Sequence, residues 1–254
     1  MDNRPIGVFD SGVGGISLMR NMLRLLPKES FIYYGDEANA PYGTKPEAEI
    51  LALARADAQL LLDLNVKALV IACNTATSAA AKQLRSELSL PIIGIEPALK
   101  PAALDYTEGP IAVLATPATL RQQKFANLMQ LYGEHAFIQP CPGLMEFVER
   151  GITQGNELDA FLDALLYKLK ARNPRAVVLG CTHYSFVAGA IAKALPGARL
   201  YDGNEGTAKQ LARVLERENL LCGKGEGSVT LLTSGDPDTA IPLMKKLLAA
   251  PIAI

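Results

Sequence analysis

LVIACNTATSAA, residues 69–80, decides how this chain folds. Leu69, Val70, Ile71 and Ala72 form a short apolar run that stops at Cys73-Asn74-Thr75, and small residues suited to a helix follow. Such a run before a small polar turn reads as a buried parallel strand feeding its helix. In open α/β sheets ligands bind at the carboxyl ends of such strands. Cys73 therefore stands where chemistry is usually done.

The same pattern recurs on both sides of it. Strands are expected at residues 6–9, 31–34, 68–72, 91–95, 111–115, 137–139, 176–180, 199–201 and 229–233, with helices between most of them. The first strand runs into DSGVGGIS, residues 10–17. Its glycines permit a tight turn, as a plain strand-to-helix junction would require, or aim backbone N–H groups at an anionic ligand. The spacing is not GxGxxG and no Walker lysine follows, so neither nucleotide fingerprint is present. Asp10 either caps the following helix or serves a catalytic group. GDEANAPYGTK, residues 35–45, is a turn-rich loop of the kind that carries binding residues. A helix is expected after the turn Thr116 to Thr119, to about Tyr132, another after Cys181-Thr182-His183, to about Leu195, and SGDPDTA caps a final helix.

Composition narrows the possibilities. Of 254 residues, 49% are apolar and 20% charged, ordinary globular usage with ample material for a core. A net charge of −1 gives no bulk electrostatic case for nucleic acid or an anionic membrane. No uninterrupted apolar stretch is long enough to cross a bilayer, and MDNRPIGVFDSG lacks the apolar core of a signal peptide, so a cytoplasmic location is expected. Four dispersed cysteines and two histidines suggest neither a disulfide framework nor a metal site. Cys141 and Cys222 read as small buried hydrophobes.

The chain also repeats itself. IGVFDS is echoed by IAVLAT, and LVIACNT by VVLGCTH; Ser11 lies 62 positions before Cys73, and Thr116 lies 65 before Cys181. This implies an α/β protein of two similar lobes, each a mainly parallel sheet flanked by helices, with the active site in the cleft between them. The last strand and helix have no counterpart and are expected to return to the first lobe. The lobes are then residues 1–97 plus 208–254, and residues 98–207. Cys73 and Cys181 would face each other across the cleft.

One thiolate suggests covalent acyl transfer with His183 as helper. Two thiols on opposite faces of a ligand suggest inversion of a carbon centre by proton transfer, one sulfur removing a proton while the other delivers one. Asp10 is available to Cys73, and His183 to Cys181. Ser11, Asn74, Thr75, Thr182 and the backbone of residues 12–15 would supply neutral donors to the carboxylates of an amino acid, with Tyr42 and Thr119 adding to them.

At this point the motifs resemble a known family. FDSGVGGIS, YYGDEANAPYGTK, ACNTATSAA, IEPALKPA, ATPATL, VLGCTHYSF and the late SGDP look like the blocks of the glutamate racemases, in order and over nearly the whole chain. The resemblance implies cofactor-independent interconversion of L- and D-glutamate, a supply of D-glutamate for peptidoglycan, and a homodimer. It implies that Cys73 takes the α-proton from D-glutamate and Cys181 from L-glutamate. It further implies supporting roles for Asp10, His183 and Glu149, and substrate contacts from Asp10, Ser11, Pro41, Tyr42, Gly43, Asn74, Thr75, Thr116, Thr119, Thr182 and His183.

There are departures. Ser185 follows GCTHY where the family often has proline, and Asp202-Gly203-Asn204-Glu205 replaces a simpler turn, which questions any substrate role there. Five residues precede the first strand, so regulation through an N-terminal extension is not expected. An aspartate or other amino-acid racemase, a cysteine hydrolase using Cys181 and His183, and an amino-acid-binding module remain as alternatives; the last two leave the pairing of cysteines unexplained.

Overall fold

The computed structural model describes residues 1–106 and 108–250. Two parallel sheets carry the chain. The first contains β1 (Ile6–Asp10), β2 (Ser30–Gly35), β3 (Ala68–Ile71), β4 (Ile92–Gly94) and a late strand, Ser228–Thr233. The second contains β5 (Ile111–Ala115), β6 (Ala136–Pro140), β7 (Ala176–Leu179) and β8 (Arg199–Asp202). With the late strand as β9, the orders are β4-β3-β1-β2-β9 and β6-β5-β7-β8. Read from the opposite edge, the second order is β8-β7-β5-β6, the first sheet without β9. The repeat in the sequence is thus a repeat in topology, and every strand pairing is parallel. The expected α/β class is borne out.

Burial explains the strand sequences. The central strands IGVFD, ALVI, IAVLA and AVVL are buried at every position because helices cover both faces of each sheet. The edge strand β9, SVTLLT, has no fully buried residue, with exposed Ser228 and Thr230 among half-buried ones. In chain order the helices are α1 (Ile16–Leu25), α2 (Glu47–Asp63), α3 (Asn74–Glu87), α4 (Leu99–Asp105), α5 (Pro117–Arg121), α6 (Gln123–Tyr132), α7 (Leu144–Glu149), α8 (Asn156–Leu165), α9 (Tyr167–Lys170), α10 (Ala188–Ala194), α11 (Asn204–Arg217) and α12 (Pro237–Ala249). Helix α11 packs against α1, and α12 against β9 and α1. One apolar cluster passes continuously from α1 and β1 to α7, α10 and α11, so the two halves share a core.

Two expected helices are interrupted. Gln122 is extended (φ −82°, ψ 145°) and separates α5 from α6; its side chain donates to the Thr75 carbonyl across the cleft. After Cys181 the chain forms a 3₁₀ turn, Thr182–Val187, and α10 begins only at Ala188. Ser185 lies in that turn and donates to Asp202, so its hydroxyl ties the turn to β8. The expected cap of the last helix is present: Asp236 accepts from the Asp238 N–H, with Pro237 in the first turn. No described helix is long and apolar enough to cross a membrane.

The entry to β3 is fastened electrostatically. Lys67 Nζ donates to Glu29 Oε2 at 2.5 Å and to the Asp2 carbonyl, with both charged side chains buried. Removing one partner strands the other charge in the interior. Lys67→Met is expected to lower the unfolding free energy by about 3–5 kcal/mol, measured by urea denaturation.

Candidate active site

The carboxyl ends of β1, β3, β5 and β7 converge where the sheets meet. Asp10 ends β1 and is wholly buried. It does not cap α1: the N-cap is Gly15, without a side-chain bond. Its carboxylate instead accepts from Ser11 Oγ at 3.1 Å and from Thr182 Oγ1, beyond the other sheet's β7, at 2.9 Å. Burial raises the Asp10 pKa, against the pull of the His183 charge and the two hydroxyls.

Cys73 follows β3 and caps α3, its sulfur accepting from the Ala76 N–H at 3.4 Å. Ser11 Oγ lies 3.7 Å from the sulfur. Because Ser11 has one hydrogen and gives it to Asp10, the Cys73 thiol is the donor in that contact. The resulting order is Cys73 S–H to Ser11 O–H to the Asp10 carboxylate. Burial, then the Asp10 charge, pushes the Cys73 pKa well above that of a free thiol, so the sulfur rests protonated.

Cys181 follows β7. Its sulfur lies 3.6 Å from His183 Nδ1, and His183 Nε2 lies 2.6 Å from Glu149 Oε1 at the end of α7. Burial disfavours a charged imidazole, yet hydrogen bonds to Cys181 and Glu149 outweigh it and raise the His183 pKa well above its ordinary value. The same Glu149 oxygen accepts from the Val13 N–H at 2.9 Å. The glycine-rich turn therefore directs a backbone donor to a carboxylate of the protein. The missing side chains serve packing across the cleft: a Cβ on Gly12 would stand 2.0 Å from Glu149 Oε1, and one on Gly14 would stand 2.2 Å from His183 Nδ1.

The hydroxyls beside the thiols also bridge the halves. Thr75, on α3, is 3.0 Å from both Thr116 and Thr119, which are 3.0 Å from each other. The Asn74 side-chain oxygen is buried with no hydrogen-bond partner among the described residues. Gly43 packs on Thr116, where an added Cβ would lie 2.9 Å from the threonine Cβ. Pro41 is half-buried and Tyr42 is buried in one apolar cluster with Phe9, Cys73 and Ala118. Asp10, Ser11, Cys73, Thr75, Thr116, Thr119, Glu149, Cys181, Thr182 and His183 are thus linked by contacts where the two sheets adjoin.

The other two cysteines lie elsewhere. Cys141 is buried and donates to the Gln139 carbonyl, as a core thiol does. Cys222 departs from that expectation: it is half-buried, and its thiol donates to Asn3. Asp202 accepts from Ser185 and Asn204, so this turn fastens the 3₁₀ segment. The sequence analysis missed Asp57, on α2, whose carboxyl meets the Tyr42 hydroxyl. Its signal is a charged residue on the buried stripe Ile50, Ala54, Ala58, Leu61.

Two strand-end sulfurs, each with its own route to a carboxylate, give this junction two groups suited to acid–base chemistry. Known proteins give this class its family. The family model described as Asp/Glu/Hydantoin racemase matches residues 6–211, and a glutamate racemase of Clostridium botulinum (strain Alaska E43) is 47% identical over 251 residues, 97% of each chain. A solved glutamate racemase from Thermus thermophilus, in complex with beta-chloro-D-alanine, superposes with a TM-score of 0.83 at 38% identity, covering 99% of this chain and 96% of that one. That from Francisella tularensis, in complex with D-glutamate, gives 0.85 at 30% identity, covering 100% and 96%. The chain belongs to the Asp/Glu/hydantoin racemase family and is an isomerase.

The charge on His183 can be read directly. In a His135→Gln background, which leaves one imidazole, ¹⁵N NMR is expected to find His183 doubly protonated well above pH 6.5, and Glu149→Gln to lower its midpoint. Gly14→Ala, by displacing His183 from Cys181, is expected to slow racemisation by about 10²-fold, measured by polarimetry.

Proposed function

We propose that this protein interconverts L- and D-glutamate without a cofactor, by proton transfer between two cysteines. The observation that carries the reading is the separate wiring of the thiols: Cys73 through Ser11 to Asp10, and Cys181 through His183 to Glu149. A single-nucleophile enzyme would need only one such arrangement. The choice of glutamate rests on the relatives' names and on the neighbour bound to D-glutamate.

In the proposed reaction one sulfur removes the α-proton. The electron pair of the broken C–H bond passes into the α-carboxylate, and the other S–H delivers a proton to the opposite face. Cys73, resting as the thiol, is the donor when Cys181 abstracts the proton from L-glutamate; the roles reverse for D-glutamate. After the transfer the donor sulfur lacks a proton and the other sulfur carries the one it removed; Asp10, acting through Ser11, and His183 with Glu149 are the groups placed to relay protons to and from the thiols.

Ser11, Thr182 and the hydroxyls of Thr75, Thr116 and Thr119 are suited to the two carboxylates, where the developing negative charge must be stabilised. Asn74 presents its unpartnered oxygen to the ammonium group. Residues 41–43 close one wall. Cys73 and Cys181 are only 5% and 8% exposed, so entry of an amino acid requires the bonds from Thr75 to Thr116 and Thr119 to separate. The units that part are taken as the two lobes expected from the sequence, with the second crossing just before α11 (Asn204–Arg217), since a boundary at 207/208 would cut that helix; the pairing of β9 with β2 supports the return of the C-terminal segment to the first lobe. Supply of D-glutamate for peptidoglycan in the cytoplasm, by a homodimer, completes the reading.

Protein free of pyridoxal phosphate is expected to exchange the α-hydrogen of either glutamate enantiomer with solvent deuterium, followed by proton NMR, and to leave aspartate largely unexchanged. No exchange by folded protein would sink the proposal, and preference for aspartate would reassign the substrate. Cys73→Ser and Cys181→Ser should each slow racemisation by about 10²–10⁴-fold; full activity of either removes the two-base mechanism.

A further inference from the structure

Beside the thiols, two carboxyl groups share one phenol. Tyr42 Oη is 2.6 Å from Asp36 Oδ2 and 2.9 Å from Asp57 Oδ2. All three residues are buried, at 1%, 1% and 3% exposure. Asp36 already accepts from Ser234 Oγ at 2.6 Å and from Asn39 Nδ2 at 3.0 Å on its other oxygen. Tyr42 is the only side chain bonded to Asp57, and no Lys, Arg or His pairs with either carboxyl among the described residues.

The hydrogens can be counted. A phenol has one. Asp36, surrounded by donors, is the acceptor for it. The contact from Asp57 then contains a hydrogen only if Asp57 brings one. We propose that Asp57 is a neutral carboxylic acid whose O–H donates to Tyr42, and that this positioning residue holds the loop of residues 41–43 against Thr116 and the thiol site. The chain of donors runs from Asp57 to Tyr42 to Asp36.

The surroundings agree. Burial first, then the charges of Asp36 and Asp10, push Asp57 up to about 8; a hydrogen donated by Tyr42 would work the other way, and that hydrogen is committed to Asp36. Tyr42 itself is pushed up by burial and by the same two carboxyls, Asp57 and Asp36, so it remains a donor. The titratable groups that face Asp57 are Asp36 and Tyr42 on the loop, Asp10 at the end of β1 and Tyr34 on β2. Each is an acid. A group whose pKa is raised is neutral below that value and ionises above it. Ionised Asp57 would place a second negative charge on the phenol oxygen and release the loop.

The functional consequence rests on the racemase reading; the protonation does not, and the two are tested apart. Infrared difference spectra of the whole protein, wild type minus Asp57→Asn, are expected to contain the C=O band of a protonated carboxyl at pH 7, vanishing with a midpoint near 8. The difference is needed because Glu37, also pushed up to about 7, contributes a band of its own. In Tyr42→Phe the acid loses the acceptor of its O–H, so its neutral form is less favoured and the midpoint falls. A missing Asp57 band at pH 7, or a midpoint that rises in Tyr42→Phe, overturns the proposal.

In kinetics, kcat/KM for glutamate should fall through an alkaline limb near that midpoint. Asp57→Asn, whose amide N–H replaces the acid O–H, should lose this limb yet keep neutral activity within roughly threefold, while Asp57→Ala raises KM about tenfold. Persistence of the limb in Asp57→Asn overturns the positioning role, whereas a present band with no racemisation at all overturns the proposed function and leaves the protonation standing.

Discussion

The hydrogen bond from Thr182 Oγ1 to the Asp10 carboxylate, 2.9 Å long, joins the ends of two strands that belong to different sheets. Asp10 has no contact with water, and a desolvated carboxylate is tolerated only when its oxygens are bonded. Ser11 satisfies one oxygen from within its own sheet; the other is satisfied only by the second sheet. The cost of burying Asp10 therefore enforces the approach of the two halves. That approach places the Cys73 arrangement and the Cys181 arrangement in one cleft.

Steric room is the second requirement. The loop between β1 and α1 must pass so close to His183 and Glu149 that no side chain fits at Gly12 or Gly14. The same closeness brings the Val13 N–H to Glu149, giving the carboxylate one donor from the backbone besides the imidazole. Glycine here is a condition for contact between lobes rather than a phosphate cradle. The turn's glycines meet a need for close approach, and the groups that approach are a carboxylate and an imidazole of the protein itself.

Around the thiols the protein uses acids and hydroxyls, with His183 as the sole cation bonded to a thiol among the described residues. This composition keeps protons in place. Cys73 stays a thiol because its neighbour is a carboxylate in a dry site; the imidazole beside Cys181 stays charged because Glu149 and the sulfur both stabilise it. The two sides of the cleft thus have opposite electrostatic character, as a reaction needing a donor on one face and an acceptor on the other requires.

Much of this was legible in the chain. Continuous apolar runs identified parallel strands, because only strands covered on both faces tolerate them. The repeat paired Cys73 with Cys181, and adjacency along the chain tied His183 to Cys181. What escaped depends on groups far apart in sequence. Asp10 could be a cap or a catalytic partner until Thr182, 172 positions away, was placed against it. The break at Gln122 follows from a bond to the Thr75 carbonyl, and the 3₁₀ turn after Cys181 from an Asp202 that local propensity cannot see. Asp57 showed only as a charge on an apolar stripe. By itself, then, the sequence determined the strand-end positions of the chemistry, because strand and turn signals are local. Tertiary structure alone decided which carboxylate meets which thiol and where each proton resides, because desolvation and hydrogen bonding at a buried junction depend on every wall of it at once.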